Sequence, residues 1–176
     1  MGFWRVNTSN LSKRAEFSRF FGEKLEFTNF ELREIAHPDP WLVMQHKVSQ
    51  IEQDFVIVDD TSLEVEGGQF GTNIKWLLAE LDKHLGAKAV FRVLIGYREK
   101  DKVHLFAGEV QGSIVHSRGN SNFGFNSMFL PAGTNQTLGE DLPDRYNARA
   151  IAVAKLLKGE GLTLPLLTDW QGDYQP

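Results

Sequence analysis

Strand-like and helix-like hydrophobic periods alternate along 176 residues, and that alternation predicts one α/β domain. Three segments carry the expectation. Phe55-Val56-Ile57-Val58 is short, apolar and β-branched, as a strand buried on both faces should be. Residues 11–21 place Phe17, Phe20 and Phe21 at i, i+3 and i+4, one face of a helix. Residues 89–97 and 102–115 are extended runs on either side of Arg98-Glu99-Lys100-Asp101, which reads as a hairpin.

In chain order, Phe3 to Thr8 is the first strand, and Ser9 or Asn10 caps the helix that ends at Gly22. Glu26 to Ile35 alternates Phe and Leu with polar residues and reads as a second strand. Asp39-Pro40 supplies an N-cap followed by proline, and Trp41, Met44, Val48 and Ile51 form the stripe of a helix ending near Gln53. The strand at 55–58 then delivers Asp59 and Asp60 at its C-terminal end. Residues 65–71 hold three glycines and read as a loop, after which Ile74, Leu77, Leu78, Leu81 and Leu85 have helical spacing up to Gly86. Beyond the hairpin, residues 117–137 are rich in Gly and Asn and carry no long element. Residues 147–158 form a last helix lined by Ala150, Val153, Ala154 and Leu157. The tail from Leu162 to Pro176 has no assignable role from periodicity alone.

Composition narrows the function. With no Cys, disulfides and thiol nucleophiles are excluded. Twenty-three acidic against 19 basic residues leave no surplus to neutralise a nucleic-acid backbone. No apolar run approaches the roughly 20 residues of a membrane span, and the N-terminus lacks a signal-peptide layout, so a cytoplasmic protein is expected. The five His show no metal-ligand spacing, and neither a Gly-x-Ser-x-Gly elbow nor a Walker loop is present.

Four constellations could carry chemistry. Thr8-Ser9-Asn10, with Lys13 after it, sits where a strand turns into a helix, a place suited either to phosphate oxygens or to ordinary capping. Asp59-Asp60-Thr61 follows the buried strand, where α/β sheets place ligands; a carboxylate there suits Mg²⁺ and equally suits a solvated strand end. Neighbours on a strand point to opposite faces, so only one of the two aspartates can serve a given site, and Glu34 could add a second carboxylate. Gly67-Gly68-Gln69-Phe70-Gly71 precedes Lys75, a cation near a helix start that asks for an anion. Phe123-Gly124-Phe125-Asn126 could stack on and read a nucleobase, or simply pack.

In order, Thr8-Ser9-Asn10 with Lys13 and Glu16, Leu32-Arg33-Glu34-Ile35, Lys47, Val58-Asp59-Asp60-Thr61-Ser62-Leu63, Gly67-Gly68 with Gly71, Ile74-Lys75-Trp76, Arg118-Gly119 and Phe123-Gly124-Phe125 resemble the inosine triphosphate pyrophosphatase family from Val6 to about Lys158. The resemblance implies a single domain over 1–176, with a long bent mixed β-sheet flanked by helices and two lobes around a nucleotide cleft. It implies a homodimer that uses Mg²⁺ to hydrolyse non-standard purine nucleoside triphosphates to the monophosphate and pyrophosphate. Carried over by position, the resemblance implies that Asn10, Lys13, Lys47 and Lys75 hold the phosphates, with Thr8, Ser9 and Thr61 also binding substrate, and Lys13 also counts with the catalytic set. Glu34 and Asp60 bind Mg²⁺, and Asp60 accepts the proton. Phe123, Gly124, Phe125, Asn126 and Arg149 lie on the base side.

This chain departs from the family on that base side alone. Asn126-Ser127 stands where the family has Asp-Pro, Asn147-Ala148-Arg149 where it has Ser-His-Arg, and a Lys upstream of the latter has no counterpart near Pro143-Asp144. An amide donates as well as accepts, so a shifted base preference is expected. The competing expectations are a nucleotide-binding protein without turnover and an interaction domain on the same scaffold.

Overall fold

The computed structural model describes residues 4–22, 24–68, 80–120 and 124–176. Its elements in chain order are β1 (Arg5–Asn7), α1 (Leu11–Phe21), β2 (Glu26–Thr28), α2 (Pro40–Ser49), β3 (Val56–Val65), β4 (Lys88–Glu99), β5 (Lys102–Ile114), β6 (Phe129–Pro131), α3 (Ala148–Lys158) and β7 (Leu162–Pro165). The strands form a seven-stranded mixed sheet in the order β2-β1-β3-β4-β5-β6, with β7 also on β5. β1 runs parallel to both β2 and β3, Arg5 standing opposite Glu26 and Val56. β6 and β7 pair antiparallel with β5, around Gly112–Ile114 and Lys102–Leu105.

Helix ends follow the local chemistry. The Asn10 side chain accepts from the Lys13 amide, and Gly22 closes α1 in the left-handed region at φ 66°. Asp39 caps α2 through the Trp41 amide at 2.9 Å, with Pro40 opening the helix. The hairpin turn between β4 and β5 sets Lys100 at φ 57°, and the Asp54 carboxylate holds its amide at 2.9 Å.

The chain divides into two compact units. One comprises Met1–Asp60, Leu94–Ala107 and Ala152–Pro176; the other comprises Thr61–Val93 and Gly108–Ile151. In the first, Met44, Val48 and Ile51 of α2 and its C-terminal turn pack on Val56, Val58, Leu94, Val103 and Leu105. Gly96 permits that approach, because a Cβ there would collide with Leu105 and meet the His104 carbonyl at 2.9 Å. In the second, Phe91, Phe125 and Phe129 meet edge to face with centroids 5.0 to 6.0 Å apart. Arg149, only 1% exposed, lies in the first turn of α3 and donates to Thr61 Oγ1 at 3.2 Å. The Asn147 side chain caps α3 by accepting from the Arg149 and Ala150 amides.

Several expectations change. β3 runs on to Val65, with Ser62, Leu63 and Val65 still buried; Asp59 and Asp60 therefore lie inside the strand, not at its end. Phe55 sits just outside it, at φ 61°, packed on Trp4 and Tyr97. The second strand covers only Glu26–Thr28, because the Asn7 side chain takes the Thr28 hydroxyl and the Phe30 amide and turns the chain out of the ladder. α2 ends at Ser49, before Gln53. Of the helix expected up to Leu85, Leu81–His84 is a 3-10 turn with Leu85 exposed, and 69–79 lie outside the described residues. The tail docks: β7 pairs with β5, and Tyr174 bridges Ile35.

Arg149→Ala should lower unfolding stability by about 3 kcal/mol in a denaturant titration, since it empties a buried guanidinium site and leaves its acceptors without a donor.

Candidate active site

β1 stops at Asn7 while its parallel neighbour β3 continues, and the chemistry gathers beyond that stop, at the carboxyl end of the parallel strands. The turn from β1 into α1 holds Thr8, Ser9 and Asn10. Here the capping alternative is what forms: Thr8 Oγ1 accepts the Asn10 amide at 3.2 Å, and Asn10 Oδ1 accepts the Lys13 amide at 3.1 Å. Ser9 is exposed.

One turn into α1, Lys13 Nζ reaches the Asp59 carboxylate, 3.3 Å from Oδ1 and 3.1 Å from Oδ2. Lys47, in the last turn of α2, donates to Glu34 Oε1 at 2.9 Å and to the Asp59 backbone carbonyl at 3.1 Å. Its side chain is only 13% exposed. Burial disfavours its charge, but Asp60, Glu34 and Asp59 outweigh that and raise its pKa. Strand alternation separates the two aspartates: Asp59 engages Lys13, while Asp60 Oδ2 is sealed from solvent without a hydrogen-bond partner among the described residues. Burial first, then the Glu34 and Asp59 charges, push the Asp60 carboxyl up to about 7, against the pull of Lys47 and Lys13.

Three carboxylates therefore face two ammonium groups. A buried carboxylate oxygen with no donor, beside a second carboxylate, is a place for a hard cation, so the residues fit Mg²⁺. Among the described residues no group of three or more acids or His converges on one point, so Glu34 and Asp60 would supply two ligands and leave the others to phosphate oxygens and water.

Glu34, Lys13, Lys47 and Asp60 thus come together. Lys75 and Phe123 lie outside the described residues. Phe125, 4% exposed, packs against Phe91 and Phe129. Gly124 is exposed with φ 57°, and Asn126 is buried, its carbonyl accepting the Gly139 amide at 2.9 Å. Thr61 and Arg149 hold each other. Sequence reasoning missed Asp59 as the partner of Lys13; the doubled aspartate was the signal available. It also missed Gln50, whose amide clasps Arg33 through both its N–H and its carbonyl, and nothing in the spacing marks that residue.

The model of the Ham1 family matches residues 4–159. The chain is 32% identical over 178 residues to a dITP/XTP pyrophosphatase of Pyrobaculum aerophilum, covering 86% of this chain and 92% of that one. It is 34% identical to an inosine triphosphate pyrophosphatase of Encephalitozoon cuniculi, covering 89% and 92%. A crystal structure of a nucleoside-triphosphatase / dITP/XTP pyrophosphatase from Mycobacterium abscessus superimposes with a TM-score of 0.57 at 22% identity, over 87% of this chain and 97% of that chain, and so shares the fold. With a family model spanning nearly all of it and relatives matched over most of their own length, this chain belongs to the Ham1 family.

Proposed function

We propose that this chain is a Mg²⁺-dependent nucleoside triphosphate pyrophosphatase acting on non-standard purine nucleotides, as the names of its relatives suggest. The observation that carries the reading is Asp60 Oδ2, buried without a hydrogen-bond partner among the described residues and set among Glu34, Asp59, Lys13 and Lys47. In the same reading the working form is a cytoplasmic homodimer, on the family's pattern.

Lys13 and Lys47 hold phosphate oxygens, and their pairs with Asp59 and Glu34 keep both ammonium groups aimed at the site before substrate arrives. When bound by Glu34 and Asp60, Mg²⁺ supplies charge neutralisation on the phosphates and on the leaving pyrophosphate. Water adds its oxygen to the α-phosphorus and gives a proton to the Asp60 carboxylate. The bond from the α-phosphorus to the bridging oxygen breaks, and its electron pair leaves with pyrophosphate. On the base side, Asn126 replaces an acceptor-only group with one that also donates, and Ala148 brings no imidazole.

Asp60→Asn should reduce pyrophosphate release from ITP by at least about a thousandfold, the scale of losing both proton acceptor and ligand. Its melting temperature should hold or rise, because the change removes a crowded buried charge; loss of the fold would make Asp60 structural and end this reading of it. In kcat/KM across ITP, XTP, dITP and the standard triphosphates, the preference for keto-purines should be weaker than that of the Encephalitozoon relative by about ten- to a hundredfold. Absence of pyrophosphate release, with tight binding of a non-hydrolysable analogue, would leave a nucleotide-binding protein instead.

A further inference from the structure

Glu34 belongs to no strand or helix: between Thr28 and Pro40 the chain makes a single isolated bridge. A carboxylate that must hold a cation within a few tenths of an ångström cannot rest on an unsupported backbone. The support comes from two sides. Gln50, at the C-cap of α2, accepts the Arg33 amide at 2.8 Å and donates to the Arg33 carbonyl at 2.7 Å. The tail supplies the other side.

There, the Gln175 amide donates to the Glu34 carbonyl at 2.7 Å, the Ala36 amide donates to the Asp173 carbonyl at 2.9 Å, and Gln175 Nε2 donates to the Ile35 carbonyl at 3.1 Å. These three bonds fall on Glu34 itself and on the two residues after it. Between these bonds Tyr174 inserts its ring, with the Arg33 guanidinium 3.5 Å from its centroid and His46 edge-on at 5.7 Å. Trp170 Nε1 ties back to the Asp173 carbonyl at 3.0 Å and its ring meets His37, which fixes the approach of the tail. Ile35, the residue under the bridge, is fully buried, so the segment cannot shift without opening the core. The family match stops at residue 159, and the tail lies beyond it.

We propose that residues 170–176 are a positioning strap: by pairing with Glu34–Ala36 and clamping Arg33 under Tyr174, they fix the Glu34 carboxylate for divalent-cation binding. The inference rests on Glu34 being a cation ligand, as set out above. The strap touches neither substrate nor cation; it acts through the backbone it holds.

The test uses Mn²⁺ as the probe, titrated into the nucleotide-free protein and read by the EPR signal of the free ion. Beside it stand the Mg²⁺ concentration for half-maximal pyrophosphate release and amide exchange over residues 33–37. Ending the chain at Gly172, and separately Tyr174→Ala, should each weaken Mn²⁺ binding about tenfold, raise the half-saturating Mg²⁺ by a similar factor and speed exchange at Ala36. With Mg²⁺ saturating, kcat should recover. Tyr174→Phe, which keeps the ring over Arg33, should restore wild-type behaviour. Wild-type Mn²⁺ affinity in Tyr174→Ala, alongside weakened affinity in Glu34→Gln, overturns the strap while leaving Glu34 a ligand. Unchanged affinity in Glu34→Gln overturns the ligand assignment and the strap with it. Should the shortened chain fail to fold, Tyr174→Ala and Gln175→Ala decide the matter.

Discussion

Everything in the described site leans on Lys47. Its ammonium group reaches from the last turn of α2 to the Glu34 carboxylate and to the main chain of β3 at Asp59, so one nitrogen ties a helix, a strand and an irregular loop together. Burial disfavours charge on a lysine this sheltered, and Asp60, Glu34 and Asp59 around it reverse that. The dependence is mutual: without that charge three carboxylates would repel across a few ångströms, and Asp60 is already held near neutrality by burial. In the proposed function a divalent ion would supply Asp60 with the positive neighbour that favours its charged form, and the two lysines, held by Asp59 and Glu34, would meet phosphates in a fixed direction.

That pattern was partly legible in the chain. Elements whose apolar period and caps agreed were readable: α1 between Asn10 and Gly22, α2 behind Asp39-Pro40, the β4–β5 hairpin and α3. Failure came where a side chain far along the sequence decided the backbone. The Glu26 to Ile35 stretch alternates like a strand, yet Asn7 captures the polar groups of Thr28 and Phe30 and takes the chain off the ladder. The length of β3 was hidden because Asp59-Asp60 looks like a strand terminator, whereas Asp59 is held within the sheet by Lys13 at its carboxylate and Lys47 at its carbonyl, from two helices. Lysine positions were visible from the resemblance; which carboxylate each would take was not, since pairing depends on where two helices end. The tail gave no periodic signal, because its contacts combine main-chain hydrogen bonds, which any residue can make, with scattered side chains such as Tyr174, Trp170 and Gln175 at no regular spacing.

The departures on the base side have unequal meaning once seen in place. Asn147 stands where the family has Ser, and both are good helix N-caps; here the side chain caps α3. That exchange leaves local structure intact and says little about bases. Arg149, kept from the family, is almost wholly buried and bonded to Thr61, next in sequence to Asp60, so in this chain it braces β3. Phe125 likewise belongs to a three-ring core. The departures that the structure does not assign to packing or capping are Asn126-Ser127, the small Ala148 and the lysine without a counterpart near Pro143-Asp144.

The two groups of residues fall in different units of the chain: Lys13, Glu34, Lys47 and Asp60 in one, Phe125, Asn126, Ala148 and Arg149 in the other. Each group is supported by its own contacts, the first by Gln50, Asp59 and the tail, the second by the phenylalanine cluster and the α3 cap. Within each set the supporting contacts fall on named neighbours, so a substitution acts first on the set whose contact it removes. Exchanging a carboxylate for an amide at Asn126 removes none of the hydrogen bonds that Lys13 and Lys47 make, so the change of donor pattern there and the charge arrangement around Lys47 rest on different contacts.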